Sequence, residues 1–425
     1  MNELDSEKIA GNLQRTGMQP AADMSGADVV ILNTCSVREK AVQKVYARLG
    51  EIRRLKAVRQ DLVIGVVGCM AQLEGEGILK KAPHVNLLAG PQKGHIMAEL
   101  VGRVQGGQLP ALDLRTEDDP ESLETAYVLR ESRWRAGVTI NEGCNRSCSF
   151  CVVPFTRGRQ RDRESANIIR EVEDLVAQGY IEVVLLGQTV NAYRDPSRAE
   201  LSFAGLLRRL ADIKGLKRIR FASPHPNDFS DDLIDAIASC PQVCNHVHLP
   251  VQSGSTRVLR AMRRGYTRES YLETVTRIRR QPRPIAVSTD IIVGFPGETD
   301  EDFLDTLRLL DEVQYDCVFS FMYSPRPKTK ALELGDDVPD EEKKARLKLL
   351  QEQQKLIQFS KNAAYQAQVV EVLVDGRART NFTLSGRMSN NRIVNFDGPN
   401  SLLGRIVRVE ISGFSANSLK GVWMP

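Results

Sequence analysis

No apolar run in this 425-residue chain approaches the roughly 20 residues that a helix needs to cross a bilayer, which argues against a helical membrane protein. Nor do residues 1–8, Met-Asn-Glu-Leu-Asp-Ser-Glu-Lys, show the basic start and apolar stretch of a secretory leader. The expectation is a cytoplasmic location with no membrane partner. Long repeats and low-complexity tracts are missing as well. With 42% hydrophobic and 26% charged residues, composition leaves no case for global disorder. Net charge is scarce: a formal +4 cannot choose a partner, although clustered basic residues would still accept an anionic one. What is present in number is cysteine. Eight in a reducing compartment point away from a disulfide framework and towards metal ligands or buried thiols.

The length allows two or three cores, and three textures follow one another. Over residues 1–100 apolar strands, expected at 29–32, 62–67 and 85–88, alternate with amphipathic helices, one of them at 38–55. Such alternation builds a parallel sheet whose ligands gather at the carboxyl ends of its strands. Cys35 and Cys69 each stand just past a strand. Between residues 106 and 132 the pattern fades into Asp113, Glu117, Asp118, Asp119, Pro120, Glu121 and Glu124, a stretch that reads as a linker. Six further strands, at 138–140, 182–186, 218–221, 246–251, 286–293 and 316–323, alternate with helices and imply a partial parallel barrel with chemistry at its strand ends. A helix over 341–359 is expected to gather Leu349, Leu350, Leu356 and Ile357 on one face. From about residue 365, short alternating strands punctuated by Gly376, Gly386, Gly398 and Gly404 predict a small β-barrel. The fold class is therefore α/β: an amino-terminal parallel α/β domain, a central partial (β/α)6 barrel and a small all-β barrel at the carboxyl end.

Cys144, Cys148 and Cys151 place three thiols within eight residues on a Gly-bearing loop directly after the first barrel strand. Four thiolates would close a [4Fe-4S] cluster, whereas three leave one iron open to another ligand. Zinc would ordinarily take a fourth protein ligand, and no cysteine or histidine follows locally. The bland alternative is three buried structural cysteines. The aromatic residue before the last cysteine is Phe150.

This C-x3-C-x2-C loop resembles that of the radical S-adenosylmethionine superfamily. The resemblance implies that S-adenosylmethionine chelates the open iron and is cleaved reductively to a 5'-deoxyadenosyl radical. It extends over nearly the whole chain, through Asn33-Thr-Cys35-Ser-Val-Arg-Glu-Lys-Ala, Gly68-Cys69-Met-Ala-Gln, Cys151-Val-Val-Pro-Phe-Thr-Arg-Gly-Arg159, His248-Leu-Pro-Val-Gln-Ser-Gly-Ser255, Gly265-Tyr-Thr-Arg268, Ser288-Thr-Asp-Ile-Ile-Val-Gly-Phe-Pro-Gly-Glu-Thr299 and Tyr323-Ser-Pro-Arg-Pro327. These look like the MiaB-type tRNA methylthiotransferases. The domains so implied are a methylthiotransferase amino-terminal domain at 1–107, a linker at 108–129, a radical domain at 130–362 and a TRAM domain at 365–425. That family holds a second [4Fe-4S] cluster on three amino-terminal cysteines, of which Cys35 and Cys69 are two. The third, together with the first strand, is expected upstream of Met1. The implied reaction uses two equivalents of S-adenosylmethionine to convert N6-isopentenyladenosine at position 37 of tRNA to its 2-methylthio derivative. An electron donor such as flavodoxin or ferredoxin is implied, and a monomer is expected. No side chain is singled out as catalytic. Sister enzymes acting on threonylcarbamoyladenosine or on a ribosomal-protein aspartate are the nearest alternative, and a non-catalytic RNA-binding metalloprotein is a remoter one.

Strand-end residues complete the expected cofactor site. Gly187, Gln188 and Asn191 follow the second barrel strand, where the glycine permits close approach and the amides offer hydrogen bonds; an ordinary turn is the plain alternative. Ser223, Gln252, Ser253, Asp290 and Glu298 occupy comparable positions, and Gly294-Phe-Pro-Gly297 makes a tight turn beside them. Arg157, Arg159, Arg161 and Arg163, with Arg263, Arg264 and Arg268, are either phosphate contacts for a tRNA loop or solvated arginines. Arg387, Asn390, Asn391 and Arg392 resemble the RNA-facing loops of a TRAM barrel. Cys240, Cys244 and Cys317 read as buried structural thiols, with zinc held by Cys240 and Cys244 beside His246 and His248 as the alternative for the first two.

Overall fold

The computed structural model describes residues 1–35, 39–116, 122–124, 127–198, 200–378 and 381–425. Ser36, Val37 and Arg38 of the Cys35 motif and residues 117–121 of the acidic stretch lie outside them. The chain divides into two compact units, one of residues 1–131, 141–163 and 326–329 and the other of 132–140, 164–325 and 330–425.

In the first unit β1 (Val29–Thr34), β2 (Val63–Gly68), β3 (Leu87–Ala89) and β4 (Ala111–Asp113) form a parallel sheet in the order β1-β2-β3-β4. Period-two alternation sends Val30, Ile64, Val66 and Leu88 to one face, against Leu49 and Ile52 of the helix Glu39–Val58. Val63, Val67, Leu87 and Ala111 go to the other, against Ile9 of Asn2–Arg15 and Leu100, Val101 and Val104 of Met97–Gln105. Every residue of β2 is buried, as a strand covered on both faces requires. Three expected strands are present. The fourth corrects the linker expectation at 108–129: residues 111–113 are too few to show a period, but they occupy the hydrogen-bonding edge that β3 offers.

After β5 (Arg135–Thr139), which belongs to the second unit, the chain pairs β6 (Asn141–Glu142) with β7 (Arg161–Asp162) as an antiparallel ribbon in the first. That ribbon closes the base of the segment carrying Cys144, Cys148 and Cys151.

The second unit sets β5, β8 (Glu182–Leu186) and β9 (Arg218–Phe221) in one parallel sheet and β10 (His246–His248), β11 (Ala286–Val293) and β12 (Cys317–Met322) in another. An isolated parallel bridge joins Ile219 of β9 to Val243, three residues before β10. Among the described residues β5 and β12 do not pair, so the six expected strands make an open barrel. Alternate residues such as Val138, Val183, Leu185, Ile219, Val247, Val287 and Ile291 point outward into one large core beneath the helices. The intervening residues face the lumen.

The helix Asp340–Ala363 departs from expectation. Leu350 and Ile357 are buried, but Leu349 is 53% and Leu356 72% exposed. Consecutive residues stand about 100° apart around a helix, and only one of each pair can face the core. Beyond it, β13 (Val369–Arg377), β14 (Leu384–Arg387), β15 (Ile393–Asp397), β16 (Ile406–Phe414) and β17 (Leu419–Met424) close a barrel in the order β13-β14-β15-β17-β16. Val372, Val374, Val394, Phe396, Val409, Ile411 and Leu419 fill it. No helix of the described residues is long and apolar enough to cross a membrane.

Candidate cofactor site

The cysteine loop is fixed at its base by backbone. Gly143 has φ +79°, and a Cβ there would lie 2.0 Å from the Arg159 carbonyl oxygen, so only glycine fits. The Cys144 N–H donates to Gly158 O at 3.1 Å, and Asn145 Oδ1 accepts the Gln160 N–H at 3.1 Å. Farther along, the Cys151 N–H donates to Cys148 O at 3.1 Å, while Cys144 Sγ accepts the Arg146 N–H at 3.4 Å. All three cysteines are half-buried thiols, as is the Phe150 ring beside them. Among the described residues no three Cys, His, Asp or Glu side chains converge as they would on a single metal ion. A cluster asks for something wider, because each thiolate binds a different iron. Three thiols on one pinned loop suit that donor set.

Cys35 and Cys69 follow β1 and β2, whose register pairs Thr34 with Gly68, so the two thiols leave the sheet side by side. Gly68 has φ +96°, and a Cβ there would meet the Thr34 carbonyl oxygen at 2.5 Å. Burial pushes the Cys69 thiol pKa up, while the Arg157 charge and hydrogen bonds from Thr156 and Arg157 oppose the rise. Arg157 is 5% exposed. It pairs with Asp5 and, at 2.6 Å, with Glu142, and its backbone carbonyl accepts from Gln92 at 3.1 Å. Burial works against its charge, but Asp5 and Glu142 raise its pKa. A residue from the segment after Cys151 thus reaches the thiol of the amino-terminal sheet.

Three of the four arginines after the cysteine loop are engaged in ion pairs within the fold. Arg157 is engaged as described, Arg161 pairs with Glu142 at 3.2 Å, and Arg163 pairs with Glu124 at 2.6 Å. Arg157 and Arg163 are buried and Arg161 is half-buried, whereas Arg159 is exposed. In the second unit Arg264 is buried and donates to Pro250 O at 2.9 Å, and Arg268 pairs with Glu312 at 2.5 Å, while Arg263 is exposed. The loop expected to face RNA turns inward too. Arg392 pairs with Asp316 at 2.7 Å, Arg387 donates to Asp375 at 3.2 Å and to Asn391 at 3.4 Å, and Asn390 donates to the Tyr365 hydroxyl at 2.8 Å. Backbone carbonyls of Arg387, Met388 and Ser389 accept from Arg218 and Arg220 at the start of β9.

The strand-end residues separate into two groups. Gly187 is buried and Gln188 half-buried after β8. Ser223, at φ +60°, is exposed after β9. Gln252, at φ +81°, exchanges backbone bonds of 2.9 Å with Asp290 and Ile292. Asp290 is 30% exposed at its side chain. Asn191 and Glu298 are buried and make hydrogen bonds within the protein. The Asn191 amide makes both its bonds to the His225 backbone, at 2.8 and 2.7 Å, tying the loops after β8 and β9 together. Glu298 Oε2 accepts from the Gly294 N–H at 2.6 Å and from Arg346 at 2.9 Å, deep behind the 294–297 turn, and burial raises its pKa. Ser253 is likewise buried, accepting the Ser255 N–H at 3.2 Å.

Cys244 is buried as expected, whereas Cys240 and Cys317 are half-buried. His246 and His248 do not turn to the cysteines: both approach the Ser288 hydroxyl at 2.9 Å, and His248 Nε2 lies 3.3 Å from Asp290. Sequence reasoning missed that line. The H-x-H and S-x-D alternations on neighbouring parallel strands carried the signal.

Three family models cover most of the chain: the radical SAM superfamily at residues 138–310, the uncharacterized protein family UPF0004 at 1–90 and the TRAM domain at 363–423. A curated tRNA-2-methylthio-N(6)-dimethylallyladenosine synthase from Solibacter usitatus (strain Ellin6076) is 46% identical over 99% of this chain and 95% of its own length. Another, from Moorella thermoacetica, is 47% identical over the same shares. Among solved structures, the radical S-adenosylmethionine methyltransferase TsrM from Kitasatospora setae, with cobalamin and a [4Fe-4S] cluster bound, matches at TM-score 0.58 and 19% identity, over 77% of this chain and 70% of that one. That likeness speaks for the fold.

Proposed function

This chain belongs to the tRNA-2-methylthio-N(6)-dimethylallyladenosine synthase family, a radical S-adenosylmethionine methylthiotransferase family, and from that premise we propose that it methylthiolates N6-isopentenyladenosine at position 37 of tRNA. One observation carries the reading: a single compact unit bears both thiol sets, Cys144, Cys148 and Cys151 on a pinned loop and Cys35 and Cys69 at adjacent strand ends. In this reading the first set holds the [4Fe-4S] cluster that binds S-adenosylmethionine, and the second contributes ligands to an auxiliary cluster. When bound, these groups supply one-electron cleavage of S-adenosylmethionine and the sulfur that is transferred.

The chain's own share is placement. Gly143 and Gly68 let backbones close where no side chain fits, and Arg157 holds the Cys69 thiol beside a fixed positive charge. Within the second unit Gly187, Gln188, Ser223, Gln252 and Asp290 are assigned to the cofactor, and in the first unit Phe150 is assigned to it on the cysteine loop. The methylthiotransferase domain is assigned to 1–107 together with the strand at 111–113, the radical domain to 130–362 and the TRAM domain to 365–425. A flavodoxin or ferredoxin supplies the electron, and the enzyme acts as a cytoplasmic monomer.

The test is mass spectrometry of tRNA nucleosides from cells lacking the gene. The 2-methylthio nucleoside should vanish while N6-isopentenyladenosine accumulates; persistence of the former overturns the substrate assignment. Anaerobic reconstitution that yields no iron-sulfur chromophore and no 5'-deoxyadenosine would overturn the enzyme itself.

A further inference from the structure

Three neighbouring strands of the second unit bring a polar line and an aromatic ring to the lumen. His246 and His248 on β10, Ser288 and Asp290 on β11, and Cys317 and Phe319 on β12 share one face, because the register sets His248 against Ser288 and Asp290 against Phe319. Val247, Val287 and Ile291 point the other way, into the core. Inside the line the hydrogen atoms follow from chemistry. Asp290 only accepts, so His248 Nε2 carries the proton facing it across 3.3 Å. In a neutral imidazole Nδ1 is then an acceptor, and Ser288 donates to it at 2.9 Å. Ser288 in turn accepts from His246 Nε2 at 2.9 Å. Across these three contacts each donor points towards Asp290.

The outer end of this line is open while its inner end is closed. Ser288 is 1% exposed, yet Phe319, whose ring lies edge-on to His248 with centroids 5.7 Å apart, is 48% exposed. A half-bare aromatic ring on a lumen strand, beside a carboxylate held as an acceptor, suits a planar heterocycle that carries N–H or O–H donors. Here such a ligand is an adenine nucleoside. We infer that Phe319, His248 and Asp290 form an adenine-recognition face: Phe319 stacks on the base, Asp290 accepts from an amino or ribose hydroxyl group, and His248 is the positioning residue that holds Asp290. The inference rests on the proposed function, which supplies two adenine nucleosides, the target residue of tRNA and S-adenosylmethionine.

The experiment uses the reconstituted full chain and two probes. One is an anticodon stem-loop with 2-aminopurine at the target position, whose fluorescence is quenched by stacking; the other is S-adenosylmethionine in equilibrium dialysis. Phe319→Ala should weaken one ligand by about tenfold, and Phe319→Tyr should restore it. Lost quenching with unchanged S-adenosylmethionine affinity identifies the tRNA base as occupant. A raised S-adenosylmethionine Kd with unchanged quenching identifies the cofactor instead. His248→Asn should reproduce the weaker binding in part. If Phe319→Ala folds and moves neither ligand, the face is not an adenine site. Failure of the proposed function is separately visible, as wild-type protein that leaves tRNA nucleosides unchanged.

Discussion

At Arg157 one guanidinium answers two carboxylates and a thiol. Arg157→Gln would leave Asp5 without its guanidinium and buried Glu142 with Arg161 alone, at a cost of about 3–5 kcal/mol. The unfolding midpoint of the reconstituted protein should fall, and iron bound per chain should fall with it; an unchanged midpoint contradicts the pairing. His246 gives a prediction with a pH sign. Burial first, then the charge of Arg220 and the neighbouring His248 ring, lower its pKa to about 3, with Asp316 opposing and Arg392 adding to the shift. The unfolded chain therefore takes up this proton near pH 6.5 while the folded one does not. Stability should be unaffected above that pH and should fall below it by up to about 1.4 kcal/mol per pH unit, until the folded pKa is reached. His246→Gln should flatten that part of the profile in denaturant titrations. The thiol triplet was legible because its meaning lies in local spacing. The hydrogen-bond partners of Asn191 and Glu298 were not, since they are His225, 34 residues away, and Arg346, 48 residues away.

Among elements, strand-like segments alternating with helices were readable, and β8, β9 and β11 fall where that pattern puts them. The three-residue β4 was not, because what makes it a strand is the hydrogen-bonding edge of β3 and not any period of its own. On the helix Asp340–Ala363 the apolar residues were visible but their division was not: four apolar residues in two adjacent pairs cannot say which member of each pair meets the core. The structure divides them, so Leu350→Ala should cost about 2–5 kcal/mol and Leu356→Ala no more than about 0.5 kcal/mol. Urea unfolding of the two variants tests this, and equal losses would refute the assigned face. The Gly143 turn is equally specific. Gly143→Ala should impair cluster loading in proportion to the displaced loop, measured as the cluster's visible absorbance.

For the molecule as a whole, the basic residues look different once their partners are known. Fifty-eight lysines and arginines against 54 acids leave little net charge, and much of what clusters near the motifs is neutralised inside the fold. Affinity for tRNA should therefore depend on exposed cations such as Arg159 and Arg263. Arg159→Ala should lower the slope of log affinity against log salt by about one, whereas Arg163→Ala should leave the slope unchanged while lowering stability. Filter binding across a salt series separates them. The unit that carries both thiol sets is also discontinuous in the chain, since residues 132–140 interrupt it. Heredity feels that interruption: a recombination breakpoint within those nine codons passes on Cys35, Cys69 and Asp5 from one parent and Cys144, Glu142 and Arg157 from the other. Offspring of divergent parents inherit a working pair only when both lineages have kept the same charges, so the two cysteine segments are bound to evolve as one linked trait.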